Sequence, residues 1–201
     1  MECGAYTIFN IKNGVLCESN FSVLDPACTF KSDTVMNVQN SETETIWRLE
    51  MLHPEELCAR ALPPKTQLVK QEIPLPDLNR FFYLEVGKLW QWTDRLLWTE
   101  EQWRNWVERE ALQTWMLLFH GTPAGYFELN SLDGAVEIAY FGLLPLFIGK
   151  GLGGGLLSAA VEKAWGMNAK RVWVHTCSLD HPYALKNYQA RGFQIYRESP
   201  A

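Results

Sequence analysis

Four glycines within six residues, Gly149, Gly151, Gly153 and Gly154, follow a β-branched and aromatic run and open an apolar-periodic one between Ala135 and Leu157. Without a Cβ the backbone turns tightly and lets a ligand come close, and the first N–H groups of the following helix have no intrahelical partner. Free donors backed by the positive end of a helix dipole suit phosphate or pyrophosphate. Gly149, Gly151 and Gly154 also satisfy G-x-G-x-x-G, by itself a weak sign of a dinucleotide fold. That fold sets the first glycine directly after its strand and needs several further strand–helix units. Here Pro145 to Ile148 intervene and only two strand-like segments remain downstream. No Ser or Thr follows the Gly149-Lys150 pair, which rules out a nucleoside-triphosphatase loop.

Ile148, Gly149, Lys150, Gly151, Leu152 and Gly153 fall on the pattern Q/R-x-x-G-x-G/A, and about thirty residues later His181, Ala184, Tyr188, Gly192 and Phe193 fall on N-x-x-A-x-x-x-Y-x-x-x-G-F. Together these stretches resemble the GNAT superfamily of acetyl-CoA-dependent acyltransferases, over residues 66 to 197. Ile148 stands where that family favours Gln or Arg, and His181 where it favours Asn. The first position acts largely through its backbone N–H, so isoleucine keeps the cradle and gives up one side-chain contact.

The resemblance implies an α/β (α+β) fold: a mixed, mostly antiparallel sheet flanked by helices, in which the strand Ala135–Leu144 splays from Arg171–Thr176. Acetyl-CoA would lay its pantetheine arm in the splay, with backbone groups of Phe141, Gly142 and Leu143 pairing with its amides. A donor N–H there would also polarise the thioester carbonyl. Ile148, Gly149, Lys150, Gly151, Leu152, Gly153 and Gly154 would hold the pyrophosphate, with His181 and Ala184 near the cofactor. Tyr188 matches the family's general acid. The implied activity is acetyl transfer to a primary amine, of a small molecule or of a peptide or protein, by direct attack in a ternary complex. The alternative is a catalytically silent acetyl-CoA-binding module that regulates a partner.

Attack by an amine requires that an ammonium first lose a proton, and Glu128 and Glu137 are the candidate bases; each is also a natural exposed strand carboxylate. Trp90, Trp92 and Asp94, with Arg95 and Trp98, fall where the family forms its acceptor mouth, an apolar slot with polar anchors. Asp180 is expected to cap the last helix and His175, mid-strand, to be a core residue. Cys177 has no basic neighbour in sequence, which speaks against a cysteine acyl carrier.

The elements that must hold these residues follow from periodicity. Thr45–Leu52 alternates as a half-buried strand and Gln67–Ile73 is the next. Pro76 starts a helix closed by Gly87, and Thr99 with Gln102 forms a capping box for a second. Thr114–Phe119, Ala124–Leu129 and Ala135–Leu144 are strands, the last two joined at Asp133-Gly134. Leu152, Leu156, Leu157, Ala160, Val161 and Ala164 mark a helix packed on a sheet. Arg171–Thr176, Pro182–Ala190 and Phe193–Arg197 are strand, helix and strand. The family's usual last strand is missing. Thr45–Leu52 is expected to pair beside Phe193–Arg197 and cover its edge.

With 201 residues, 47% apolar and nine tryptophans, the chain fills one good core. It reads as a domain over 45–201 behind an acidic, polar extension over 1–44, with faint strand character at Tyr6–Ile11 and Phe21–Leu24. The net charge of −5 argues against nucleic-acid binding, which needs basic patches. Cys3, Cys17, Cys28, Cys58 and Cys177 make no C-x-x-C pair, so neither a disulfide framework nor a metal site is indicated. There is no signal-like start and no apolar run near the ~18 residues of a membrane span. The expectation is a cytoplasmic protein with no membrane partner, monomeric or homodimeric.

Overall fold

The computed structural model describes residues 9–12, 15–18 and 44–200, in two units, Met1–Ser41 and Glu42–Ala201. In the first, β1 (Phe9–Lys12) and β2 (Val15–Glu18) pair antiparallel. Phe21–Leu24, Cys3 and Cys28 lie outside the described residues, as does the first part of Tyr6–Ile11.

The second unit runs β3 (Thr45–Met51), β4 (Thr66–Lys70), α1 (Pro76–Gly87), α2 (Glu100–Val107), β5 (Leu112–Phe119), β6 (Thr122–Leu132), β7 (Ala135–Leu143), α3 (Leu152–Trp165), β8 (Arg171–Cys177), α4 (Ala184–Ala190) and β9 (Gln194–Pro200). Thr99 caps α2 through the expected reciprocal bonds with Gln102. Two-residue turns at His120-Gly121 and Asp133-Gly134, all four residues at positive φ, join β5, β6 and β7 into a meander. Such φ values are what hairpin turns of that length demand.

The seven strands lie in the order β4-β5-β6-β7-β8-β3-β9. Only β7 and β8 are parallel, so this is the mixed, mostly antiparallel sheet expected. β3 does pair with β9, through Thr45↔Pro200 to Glu50↔Gln194. It also pairs with β8 along its whole length, so it lies inside the sheet and β9 remains the outer strand. Its burial explains the place: Leu49 and Met51 are fully buried in the main core, which an edge position would leave half-covered.

That core lies between the sheet and α3, where Leu152, Leu156, Leu157, Ala160, Val161 and Ala164 meet Val136, Ile138, Val172 and Val174. Burying each large aliphatic side chain contributes about 1.5–3 kcal/mol. On the other face, α1 stacks Phe82 on Tyr126 at 4.9 Å, and Tyr83, Trp103 and Val107 join α1 to α2. Among the described residues no helix is long and apolar enough to cross a membrane.

Candidate active site

β7 and β8 pair only from Ala135↔Arg171 to Glu137↔Trp173. Beyond that point β7 follows β6 as far as Gly125↔Leu143, while β8 follows β3 as far as Ile46↔Cys177. A bulge in the β6–β7 ladder between Glu128 and Leu129 bends β7 where the two part company, the usual effect of an extra residue in one strand. The splay opens a cleft of about 870 Å³. Of the site residues read from the sequence, all line it except Trp98, Glu128 and Lys150.

At one end of the cleft lies the glycine loop. Gly149 and Gly151 have φ of 79° and 76°, a region open to glycine at no steric cost. A Cβ on Gly149 would meet nothing within 4 Å, and one on Gly151 only Arg60 Nη2 at 3.9 Å. Gly151 immediately precedes α3, and it lines the cleft with Leu152 and Gly153, at a helix start whose first amides have no intrahelical partner and can bind an anion. Gly154 is different: its Cβ position is 2.7 Å from Arg191 Nη1 and 3.0 Å from Arg60 Cδ. Gly142 likewise makes room, for Val86 Cγ1 at 2.3 Å from its Cβ position. Lys150 is exposed, and it is not among the residues that line the cleft. Its side chain leaves a turn between two left-handed glycines.

Tyr188 stands on α4 with only 6% of its surface exposed. Its ring packs edge-on against Phe141 and Phe193, yet it also lines the cleft. Burial, reinforced by the charge of Asp180, pushes its hydroxyl well above the ordinary tyrosine range, so it stays protonated at neutral pH.

The other end of the cleft is aromatic and acidic. Asp94, on the loop between α1 and α2, accepts from the Tyr83 hydroxyl at 3.0 Å and from the Tyr140 hydroxyl, yet its side chain is 61% exposed. Arg95, next to it, is buried. Its guanidinium lies 3.9 Å from the Trp106 ring centre, 4.1 Å from Tyr140 and 4.4 Å from Trp98, an aromatic cage that stabilises a cation.

Glu128 is the counter-charge inside that cage and not a cleft residue. It is fully buried and accepts from Asn79 Nδ2 at 2.8 Å, Trp106 Nε1 at 2.7 Å and Arg95 Nη1 at 3.4 Å. A carboxylate so engaged and shielded has no access to an acceptor, which corrects its reading as a candidate base. Glu137 lines the cleft where β7 and β8 separate. His175 Nδ1 lies 3.7 Å from Glu137 Oε1, and the histidine side chain is 52% exposed. His175 is thus a cleft residue and not the core histidine expected, because β8 turns that face away from α3 and towards the opening.

Asp180 does not cap α4. Its Oδ2 accepts from Thr176 Oγ1 at 2.6 Å and Cys177 N–H at 3.3 Å, and its Oδ1 accepts from Trp92 Nε1 at 3.2 Å. It ties the end of β8 to the α1–α2 loop. Beside it, Trp90 packs edge-on against His181 at 4.8 Å, whose Nδ1 accepts from the Tyr183 N–H. Burial pushes the Cys177 thiol up to about 11, which keeps it a thiol and a poor nucleophile.

A parallel strand pair splayed beside a glycine-opened helix is the architecture of the GNAT fold. The model of the acetyltransferase (GNAT) family matches residues 75–193, and the chain belongs to that family, whose acyl donor is generally acetyl-CoA. In fold it is similar to a GCN5-related N-acetyltransferase from Kribbella flavida, at 16% identity and a TM-score of 0.56, over 77% of this chain and 55% of that one. It is also similar to a tandem GNAT protein from the clavulanic acid biosynthesis pathway, at 17% and 0.55, over 79% and 52%. A third is an aminoglycoside acetyltransferase from an uncultured soil metagenomic sample, at 14% and 0.51, over 63% and 87%. The chain spans about half the length of the first two. No curated protein matches the sequence.

Proposed function

We propose that the protein is an N-acetyltransferase that moves the acetyl group of acetyl-CoA to a primary amine by direct attack in a ternary complex. The observation that carries the reading is the end of β7–β8 pairing at Glu137↔Trp173. It leaves a cleft with a helix start at one end and carboxylates at the other. The fit to acetyl-CoA is supported by the unpaired edge of β7 over Phe141, Gly142 and Leu143, and by the open, left-handed Gly149 and Gly151. The amides of Leu152 and Gly153 would hold pyrophosphate, with His181 and Ala184 alongside. The bound cofactor supplies the activated acyl group.

The chain's own residues then have three tasks. Backbone donors of the splayed β7 stabilise the charge that develops on the carbonyl oxygen. Glu137, through a water or the neighbouring His175, accepts the proton that the acceptor ammonium must lose. Tyr188 passes a proton to the departing thiolate and regains one from the acceptor nitrogen, which sheds its second proton as the amide forms, so that no tyrosinate persists in the buried site. Asp94, with Trp90 and Trp92, favours a cationic, partly apolar amine, and the aminoglycoside acetyltransferase of the same fold is consistent with a small-molecule acceptor. The free thiols of Cys58 and Cys177 support a reducing, cytoplasmic setting. Initial rates with acetyl-CoA and an amine both varied test the mechanism. Intersecting double-reciprocal lines are expected, and parallel lines would require an acyl-enzyme.

A further inference from the structure

We propose that Arg60, on the connector between β3 and β4, and Arg191, just after α4, form a two-guanidinium clamp over the start of α3 that takes a phosphate group of the cofactor. The clamp supplies the cation that Ile148 does not. The inference rests on the reading of the cleft as an acetyl-CoA site.

Arg60 lines the cleft. The point where a Gly154 Cβ would sit is 2.7 Å from Arg191 Nη1 and 3.6 Å from Arg60 Nη1, while Arg60 Nη2 is 3.9 Å from the corresponding point on Gly151. Both cations therefore converge on the first turn of α3. Backbone anchors hold them there. The Arg60 N–H donates to Ser158 Oγ at 2.8 Å, that hydroxyl donates to the Gly154 carbonyl at 3.1 Å, and the Cys58 N–H donates to the Arg191 carbonyl at 3.0 Å. Next to Gly154, Gly155 lets the connector pass: a Cβ there would lie 2.9 Å from the Ala61 carbonyl oxygen.

Among the described residues neither guanidinium forms an ion pair with a carboxylate. Two like charges thus face each other and the positive end of a helix dipole, an arrangement unfavourable by itself that a multiply charged anion relieves. Guanidinium groups match phosphate oxygens in two-pronged geometry. Arg191 Nε is already engaged by the Ala190 carbonyl at 2.9 Å, which turns its outer nitrogens towards the helix. The recognised chemistry is a phosphate ester, and CoA carries two sources of it, the diphosphate and the 3′-phosphate.

Calorimetric titration of the full chain with CoA and with 3′-dephospho-CoA tests the clamp. Arg60→Ala is expected to weaken CoA about 10- to 100-fold, the range of a charge-assisted contact, and to flatten its salt dependence. Arg191→Gln is expected to act in the same direction. Equal losses for both ligands assign the clamp to the diphosphate, and a loss confined to CoA assigns it to the 3′-phosphate. Should Arg60→Ala lower the melting temperature, Arg60→Gln keeps the stem and the backbone anchor and serves in its place. Unchanged CoA affinity in a folded Arg60 variant overturns the clamp. If the unaltered protein binds no CoA, the cofactor reading itself falls.

Discussion

Tyr188→Phe keeps the ring against Phe141 and Phe193 and removes only the hydroxyl with its proton. It should lower kcat by roughly 10- to 1,000-fold, with acetyl-CoA affinity by calorimetry and the melting temperature little changed. Full activity in this variant would hand the acid role to another group. Glu128 predicts the opposite pattern. Glu128→Ala strands Arg95, Asn79 and Trp106 in a buried site and should cost about 3–5 kcal/mol of stability in urea unfolding. A loss under 1 kcal/mol would contradict the buried charge pair. The sequence alone did not separate the two glutamates. Register sets Asn130 opposite Glu137, and Glu128 two residues before Asn130 shares its face by strand alternation. What distinguishes them is the covering: α1, α2 and the loop between them close over Glu128 and leave Glu137 at the opening, and such packing is not written in strand periodicity. Lys150, by contrast, matched a motif position but points elsewhere, since the motif at that place is carried by backbone.

At the scale of elements, local chemistry was legible wherever it is short-range. The capping box at Thr99, the Asp133-Gly134 turn and the apolar stripe of α3 all appear as the residues dictate. The pairing of β3 with β9 was legible too, but its interior place was not, because that depends on how far β8 and β9 lie apart. The edge-covering argument was therefore the wrong reason for the right neighbour. Arg60 of the connector and Arg191 after α4 were invisible as a pair for a related cause: their approach is made by long-range packing, with Gly192 giving way to the Glu56 carbonyl. The interior place of β3 has a consequence for truncation. A chain starting at Glu42 should fold, whereas one starting at Leu52 loses the strand between β8 and β9, exposes two edges and should aggregate. Size-exclusion chromatography and far-UV circular dichroism of the two chains distinguish these outcomes. A monomeric, folded product from Leu52 onwards would contradict the topology.

For the whole molecule, the buried Tyr83, Tyr126 and Tyr188 and the half-buried Tyr140 share one titration behaviour. Burial pushes Tyr83 up to about 12 and raises Tyr126, Tyr140 and Tyr188 as well. Once pH passes about 10, the unfolded chain releases phenolic protons that the folded chain keeps. This contribution to stability is therefore complete below pH 10 and declines as pH rises towards the folded values. Urea midpoints should fall between pH 10 and 12, and Tyr140→Phe should make that fall shallower; an identical slope in the variant would contradict the linkage. The same burial keeps the Tyr188 hydroxyl protonated across the physiological range. The account as a whole turns on acetyl transfer, and its most direct test is thiol release from acetyl-CoA by the purified protein against a panel of primary amines, with the amine products weighed by mass spectrometry. The prediction is release that depends on a particular amine and is matched by a product one acetyl group heavier. Tight acetyl-CoA binding with no amine-dependent thiol release would contradict it and leave a cofactor-binding module without catalysis.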